Sequence, residues 1–463
     1  MSVNSAYQDF KKQISIALSP FEKLTKHWKI IKRILITLGF VLLFRFGIMI
    51  TIPGVTLTSE SFGDAGGFLS ILDMLGGGGL SRFSIFALGI TPYITGSLII
   101  QLLSSDVVPY LSKLNRQGEK GRIKLEKITR LTMLGFALIQ GLALTLAMSN
   151  GGLIELNMAN QWLQVILITL ILMAGSMITI WIADQITMYG VGSGTSIIIL
   201  TGILSKVPSN LINTFEFWTG SASEIGAFIG IITFFGYYFL AFLMIYVIAF
   251  FETSERRLPI QETGQGLNLL KDKQTYLPIK VNPAGVIPVI FASAVITLPP
   301  TIAQFFPESG GQIWVVDNFS LTSAFGLTLY ALLVAAFTFF YASININPEE
   351  TAENFQKSST FIIGVAPGEQ TRTYISRTVN SVACIGATEL TLVAIFPYLL
   401  TFAGIPQAVT IGGTSMIIIV SVTVETWEQI KARVIAENTT HVDRATIKGF
   451  GTIRDTSTTI LFD

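Results

Sequence analysis

Long apolar runs divide this sequence, near 30–50, 83–103, 129–148, 162–182, 192–205, 226–250, 284–304, 325–345, 378–400 and 409–426. An α-helix needs about twenty apolar residues to cross a hydrocarbon core of roughly 30 Å, and most of the runs have that length. With 51% apolar and only 13% charged residues in 463, and a mean hydropathy of +0.62, the chain reads as an all-α polytopic membrane protein with ten transmembrane helices. The fifth run is short, and is predicted to draw on Gly190-Val-Gly-Ser-Gly194 before it.

Charge orients the spans. Polar loops fall at 104–128, 252–283, 346–377 and 427–463, on one side together with the N-terminus if the count is ten. That side holds 27 of the 30 Lys and Arg residues, leaving only Arg45, Arg82 and Lys206 opposite. Such an asymmetry places both termini in the cytoplasm and favours an even number of spans. Residues 1–29 alternate Phe10, Ile14, Phe21 and Leu24 with lysines, which suits a cytoplasmic amphipathic segment or a loosely ordered tail. They contain no apolar core of a cleavable signal, so the first span is expected to direct targeting. A single cysteine, Cys384, excludes an internal disulfide, and His27 and His441 lie outside the runs, against a metal site.

Before the second run lies an apolar piece, Phe68–Leu75, too short to span, and then four glycines, Gly76–Gly79. Glycines in series stop a helix. A broken helix at membrane depth is tolerated only inside protein or along a cavity, so this stretch reads as a half-inserted segment against the wall of a central path.

The halves of the chain echo each other. Gly89-Ile-Thr-Pro-Tyr-Ile-Thr-Gly-Ser-Leu-Ile-Ile100 matches Gly285-Val-Ile-Pro-Val-Ile-Phe-Ala-Ser-Ala-Val-Ile296 at Gly, Pro, the Ile two after Pro, Ser and the last Ile. Gly194-Thr-Ser-Ile-Ile-Ile199 matches Gly413-Thr-Ser-Met-Ile-Ile418. Spans 2 and 5 of one half thus correspond to spans 2 and 5 of the other. Five spans is odd, so the halves point in opposite directions, an inverted repeat whose interface carries the functional site. Ile94 pairs with Ile290 and Ile199 with Ile418, which makes these four candidates for that interface, with ordinary packing or lipid contact as the alternative.

Arg45 near an outer helix end and Asp184 at an inner one are the ionisable residues that stand out, and the middles of the runs read as otherwise uncharged. A coupled transporter or an intramembrane enzyme needs such groups at depth. No HExxH, paired-Asp or Gly-x-Ser-x-Gly pattern with a placed His is present, so no catalytic residue and no cofactor is expected. An aliphatic constriction that excludes ions yet yields around a large flexible substrate fits better. A small-solute transporter on the same repeat, or an insertase without a through-pore, are the rival classes.

The stretches Phe86–Leu103 (FALGITPYITGSLIIQLL), Trp181–Ser196 (WIADQITMYGVGSGTS), Leu277–Ser293 (LPIKVNPAGVIPVIFAS), Asn347–Lys357 (NPEETAENFQK) and Gly412–Ser415 (GGTS) resemble the SecY/Sec61-alpha family, the channel subunits of Sec protein translocases. The resemblance runs in order from FRFG…IPG (Phe44–Gly54) to the tenth span. It implies a channel for unfolded secretory polypeptides in the bacterial plasma membrane that releases hydrophobic segments sideways into lipid, or an accessory Sec channel for a restricted substrate set. The N-terminal segment 1–29 would be followed by halves at 30–205 and 206–427 and a cytoplasmic tail at 428–463.

By the same resemblance the pore ring is Ile90, Ile94, Ile199, Ile290 and Ile418, and a short plug helix lies at 65–75, with Ala65, Phe68, Leu69, Ile71, Leu72 and Leu75. The lateral gate lies between spans 2 and 3 and spans 7 and 8, with Thr95, Gln140 and Ser293 as a polar seam. The implied partners are SecE and SecG, the SecA motor ATPase, the ribosome, signal peptides and nascent secretory or membrane proteins, and the lipid bilayer. Arg256, Arg257 and Arg372 are the docking candidates. Here the chain departs from the family: the pattern Gly-Ile-Arg-Pro-Gly reads Gly364-Val-Ala-Pro-Gly368, and a basic stretch is replaced by Gln261-Glu-Thr-Gly-Gln-Gly266. Ala366 therefore lacks the planar charged group suited to carboxylates and carbonyls.

Overall fold

A computed structural model describes residues 28–57, 73, 76–115, 117–150, 154–156, 160–220, 227–262, 276–303, 310–402 and 412–434. The N-terminal segment before Trp28, most of the tail, and the plug positions Ala65, Phe68, Leu69, Ile71, Leu72 and Leu75 lie outside the described residues.

The first half of the chain opens with α1 (Trp28–Ile48) and β1 (Val55–Leu57). Next come α2 (Thr91–Leu102), α3 (Pro109–Asn115), α4 (Glu119–Asn150) and β2 (Ile154–Leu156), then α5 (Gln161–Tyr189) and α6 (Gly194–Thr219). The second half has α7 (Ala227–Thr253), β3 (Glu255–Glu262), β4 (Tyr276–Lys280) and α8 (Ile287–Ala303). After these come α9 (Gly310–Asn318), α10 (Ala324–Asn345), α11 (Pro348–Lys357), β5 (Thr360–Ile362), α12 (Glu369–Phe402) and α13 (413–434).

Among the described residues, six helical segments are long and apolar enough to cross a membrane: α4, α5, α6, α7, α10 running into α11, and α12. The α2–α3 pair, bent by 96°, makes a seventh if it counts as one span. α8 is apolar but covers only 17 residues.

Two runs differ from expectation. Residues 83–103 are not one helix: positions 84–90 form turns, and α2 starts only at Thr91. Gly89 at φ +50° and Pro92 in the first turn set that start, because proline is tolerated where no intrahelical N–H bond is needed. The fifth run is longer than expected: α6 continues through position 206 to Thr219, with Pro208 inside it.

The polar loops carry their own small structures. β3 is the central strand of a three-stranded antiparallel sheet, pairing Glu255–Pro259 with β4 and Ile260–Glu262 with β5. Leu258, Ile279 and Ile362 from this sheet pack on Ile375, Val379 and Val382 of α12, which seats the sheet on that helix. At another place β1 and β2 pair Val55 with Leu156. The main apolar cluster draws on both halves, from Phe44 and Ile94 to Val289, Tyr330, Leu390 and Ile418.

Candidate functional site: a cavity ending on isoleucines

The two echoing sequence pairs fold alike. Gly89 and Gly285 both have positive φ, +50° and +62°, and each precedes a helix that opens with proline, Pro92 in α2 and Pro288 in α8. Gly194 and Gly413 both begin a helix that lies against the preceding one. A Cβ at Gly194 would come within 1.8 Å of the Ala183 carbonyl oxygen, and one at Gly413 within 2.1 Å of that of Val393. Any side chain at these positions would push α6 from α5, or α13 from α12.

These helix starts aim the isoleucines inward. Ile90, Ile94, Ile199, Ile290 and Ile418 are all buried, from 0% to 8% exposed, and all belong to the one cluster shared by α2, α6, α8 and α13. Ile94, Ile199 and Ile290 line a cavity of about 480 Å³ between the halves. The rest of its lining is mixed: Ser193, Glu252, Lys280 and Asn282 stand beside Val286, Ile287 and Phe291.

The polar wall is tied together. Asn282, 2% exposed, donates through Nδ2 to Glu252 Oε2 at 3.1 Å, and Lys280 Nζ meets Glu428 Oε2 at 2.8 Å. The loop between α5 and α6 is clasped by α13, since Gly192 N–H donates to Gln429 Oε1 at 3.2 Å and Arg433 donates to the Gly190 carbonyl at 3.0 Å. Thr37 on α1 accepts from Val191 N–H at 3.0 Å.

Of the three residues expected to form a polar seam, two meet: Gln140 Nε2 donates to Thr95 Oγ1 at 3.3 Å. Ser293 donates instead to the Val289 carbonyl of its own helix at 2.8 Å, because a hydroxyl in a helix finds the carbonyl four residues back. A different pair joins α2 to α10, the Tyr341 hydroxyl donating to Gln101 Oε1. The docking arginines stand on the exposed sheet and the start of α12. Arg257 lies over the Tyr276 ring at 4.8 Å and bonds Glu255 at 2.7 Å, and this carboxylate raises the guanidinium pKa. Arg372 bonds Glu369 at 3.1 Å, and Arg256 is exposed.

Sequence reading missed one group. The run 378–400 is not free of charge: Glu389 sits within α12, only 7% exposed, with one carboxylate oxygen lacking a hydrogen-bond partner. The signal was present as a lone Glu in an apolar run, hidden by the run's average hydropathy. Arg45, expected to reach outward, instead donates to the Thr201 carbonyl of α6.

A family model for SecY matches residues 84–427. The protein translocase subunit SecY of Mycoplasma capricolum is 43% identical over 437 residues, which covers 91% of this chain and 91% of that protein. A solved protein-conducting channel superposes with a TM-score of 0.62 at 15% identity, covering 88% of this chain and 93% of its own. The Sec61 channel of a canine ribosome–channel complex superposes with a TM-score of 0.60 at 14% identity, over 88% and 93%. With paired glycines and prolines opening its helices, buried isoleucines lining a cavity, and a match this long, the chain belongs to the SecY family.

Proposed function

We infer that the protein is a protein-conducting channel, a multi-pass membrane protein through which unfolded polypeptides pass. The observation that carries this is a cavity of mixed polar and apolar lining to which Ile94, Ile199 and Ile290 contribute, side chains drawn from helices of both halves. Branched aliphatic groups bind no particular sequence, so they close on each other at rest and around a passing chain in transit. Ions, which need hydration, are excluded by the same dry constriction.

In this reading the ring is Ile90, Ile94, Ile199, Ile290 and Ile418. Ten spans form two inverted halves, and both termini face the cytoplasm of a bacterial plasma membrane. The matched glycine conformations at 89 and 285, and the matched helix starts at 194 and 413, support the repeat. The lateral gate opens between α2–α4 and α8–α10. A segment apolar enough to partition into hydrocarbon leaves through it, by the transfer energetics that make about twenty apolar residues a span. The channel supplies no energy. The SecA motor or a ribosome pushes from the cytoplasm against Arg256, Arg257 and Arg372, while SecE clamps the halves and SecG assists.

The test is crosslinking. With Cys384 replaced by Ser, a cysteine at Ile94 or Ile290 is expected to crosslink to a secretory chain arrested in transit. Labelling of that cysteine by small solutes, with no crosslink to the arrested chain, would point to a transporter instead.

A further inference from the structure

Two of the three cations left outside the basic side of the chain, Lys206 and Arg45, act on one carboxylate, that of Asp73. Asp73 is 2% exposed, in the range that the resemblance assigns to the plug, and its Oδ2 pairs with Lys206 Nζ on α6. Its Oδ1 accepts from Leu80 N–H at 2.8 Å and from Ser81 N–H at 3.1 Å, capping the short 3₁₀ turn Leu80–Arg82. The Asp73 carbonyl accepts from Gly78 N–H at 2.7 Å. Arg45 lies within electrostatic reach of both Arg82 and Asp73, and its guanidinium is close to Gly78.

The glycine turn presses directly on α6. Gly77 holds φ +83°, and a Cβ on Gly202 would lie 2.3 Å from the Gly77 Cα, so backbone meets backbone here. Lys206 follows Ile199 by seven residues. At 1.5 Å rise and 3.6 residues per turn, it stands about 10 Å along α6 on nearly the same face. One helix thus carries an isoleucine of the central cluster and the cation that holds the turn beyond it.

The two sides of the Asp73 carboxylate are held differently. One oxygen is satisfied by N–H groups of its own turn, which travel with it. The other is satisfied by Lys206, whose side chain is 36% exposed and can pass to water. Losing Lys206 leaves a carboxylate that keeps two donors, so the turn can leave α6 as a unit without stranding a bare buried charge.

We propose that the Asp73–Lys206 ion pair is a detachable fastener between the glycine turn and α6, and that it sets how tightly the resting channel is sealed and which chains can open it. Asp73 and Lys206 act as positioning residues in the channel reading above, on which this inference rests. Their effect is an energy difference between turn-docked and turn-released populations, so weakening the pair raises the released population without touching the isoleucines.

The experiment compares resting ion leak and signal-sequence stringency in proteoliposomes for wild type, Lys206→Met, Lys206→Arg, Asp73→Asn and the Asp73→Asn/Lys206→Met double variant, with Ile94→Asn as reference. For a partly exposed pair, Lys206→Met is expected to raise the leak by about fivefold and to admit chains with weakened signals. Lys206→Arg should stay near wild type, and the double variant should change the leak by less than the product of the single changes. If Lys206→Met matches wild type in leak and stringency while Ile94→Asn leaks, the fastener is refuted and the channel stands. If neither variant alters leak or stringency and Ile94 fails to crosslink a chain in transit, the channel reading itself falls. A chromatographic profile and thermal unfolding for each variant separate loss of the fastener from loss of fold, since a misfolded channel fails with strong signals as well.

Discussion

The Tyr341 hydroxyl bonds Gln101 across 240 residues of sequence, tying α10 to the C-terminal end of α2. Tyr341 is buried and its ring packs against Phe291 at 5.3 Å, so the ring is fixed independently of the hydroxyl. Tyr341→Phe therefore removes one hydrogen bond and little packing, a loss of about 1 kcal/mol. It is expected to ease separation of α2 from α10, seen as a higher yield of signal peptides crosslinked at Thr95→Cys. An unchanged yield would mean that the two helices part elsewhere.

Replacing Ile94 and Ile290 by the smaller, polar Asn widens the constriction and makes it wettable. Resting ion leak should rise, and chains with defective signal sequences should pass. Unchanged leak together with unchanged stringency counts against these two side chains as the seal.

Glu389 offers a stability test. A carboxylate at 7% exposure with an oxygen lacking a partner costs free energy to bury. Glu389→Gln is close in shape and removes the charge, so thermal unfolding in detergent should occur at the same temperature or higher. A loss of more than about 1 kcal/mol would reveal a partner that depends on the charge.

Ala366 is exposed in the turn before α12, and its carbonyl accepts from Thr371 Oγ1 at 2.9 Å. Ala366→Arg adds a guanidinium without disturbing that backbone bond. Binding of a standard SecA motor, measured by flotation or surface capture, is expected to strengthen or stay level, and a marked loss would show that this loop docks in another way.

Gly89 should tolerate nothing larger. Its φ of +50° and the 2.2 Å approach that a Cβ would make to the Gly76 carbonyl oxygen both oppose a side chain. Gly89→Val is expected to destabilise by roughly 3 kcal/mol or more, read as a lower unfolding midpoint and reduced membrane accumulation.

Sequence alone reached the isoleucines because the repeat marks them twice, once by Gly-x-x-Pro-x-Ile and once by Gly-Thr-Ser. Those glycines and prolines act locally, through φ and missing N–H groups, so their consequences are written in short motifs. The length of α6 was not legible: the apolar run ends at 205, yet Lys206 finds Asp73 and the helix continues to Thr219. Nor was the Tyr341–Gln101 bond, since partners 240 residues apart leave no spacing pattern. The Ser293 hydroxyl, by contrast, bonds the carbonyl four residues back in its own helix, a local bond that any helical serine can make.

In α7, only 11% of its most apolar window is covered by the rest of the protein, while Phe228, Phe235, Phe239 and Tyr246 point outward. Most of that helix's packing partners therefore come from outside this chain, from acyl chains or a partner subunit, and its register depends on them. Harsh delipidation should loosen this corner first, leaving the rest of the barrel of helices intact around a strand of protein that has lost its solvent.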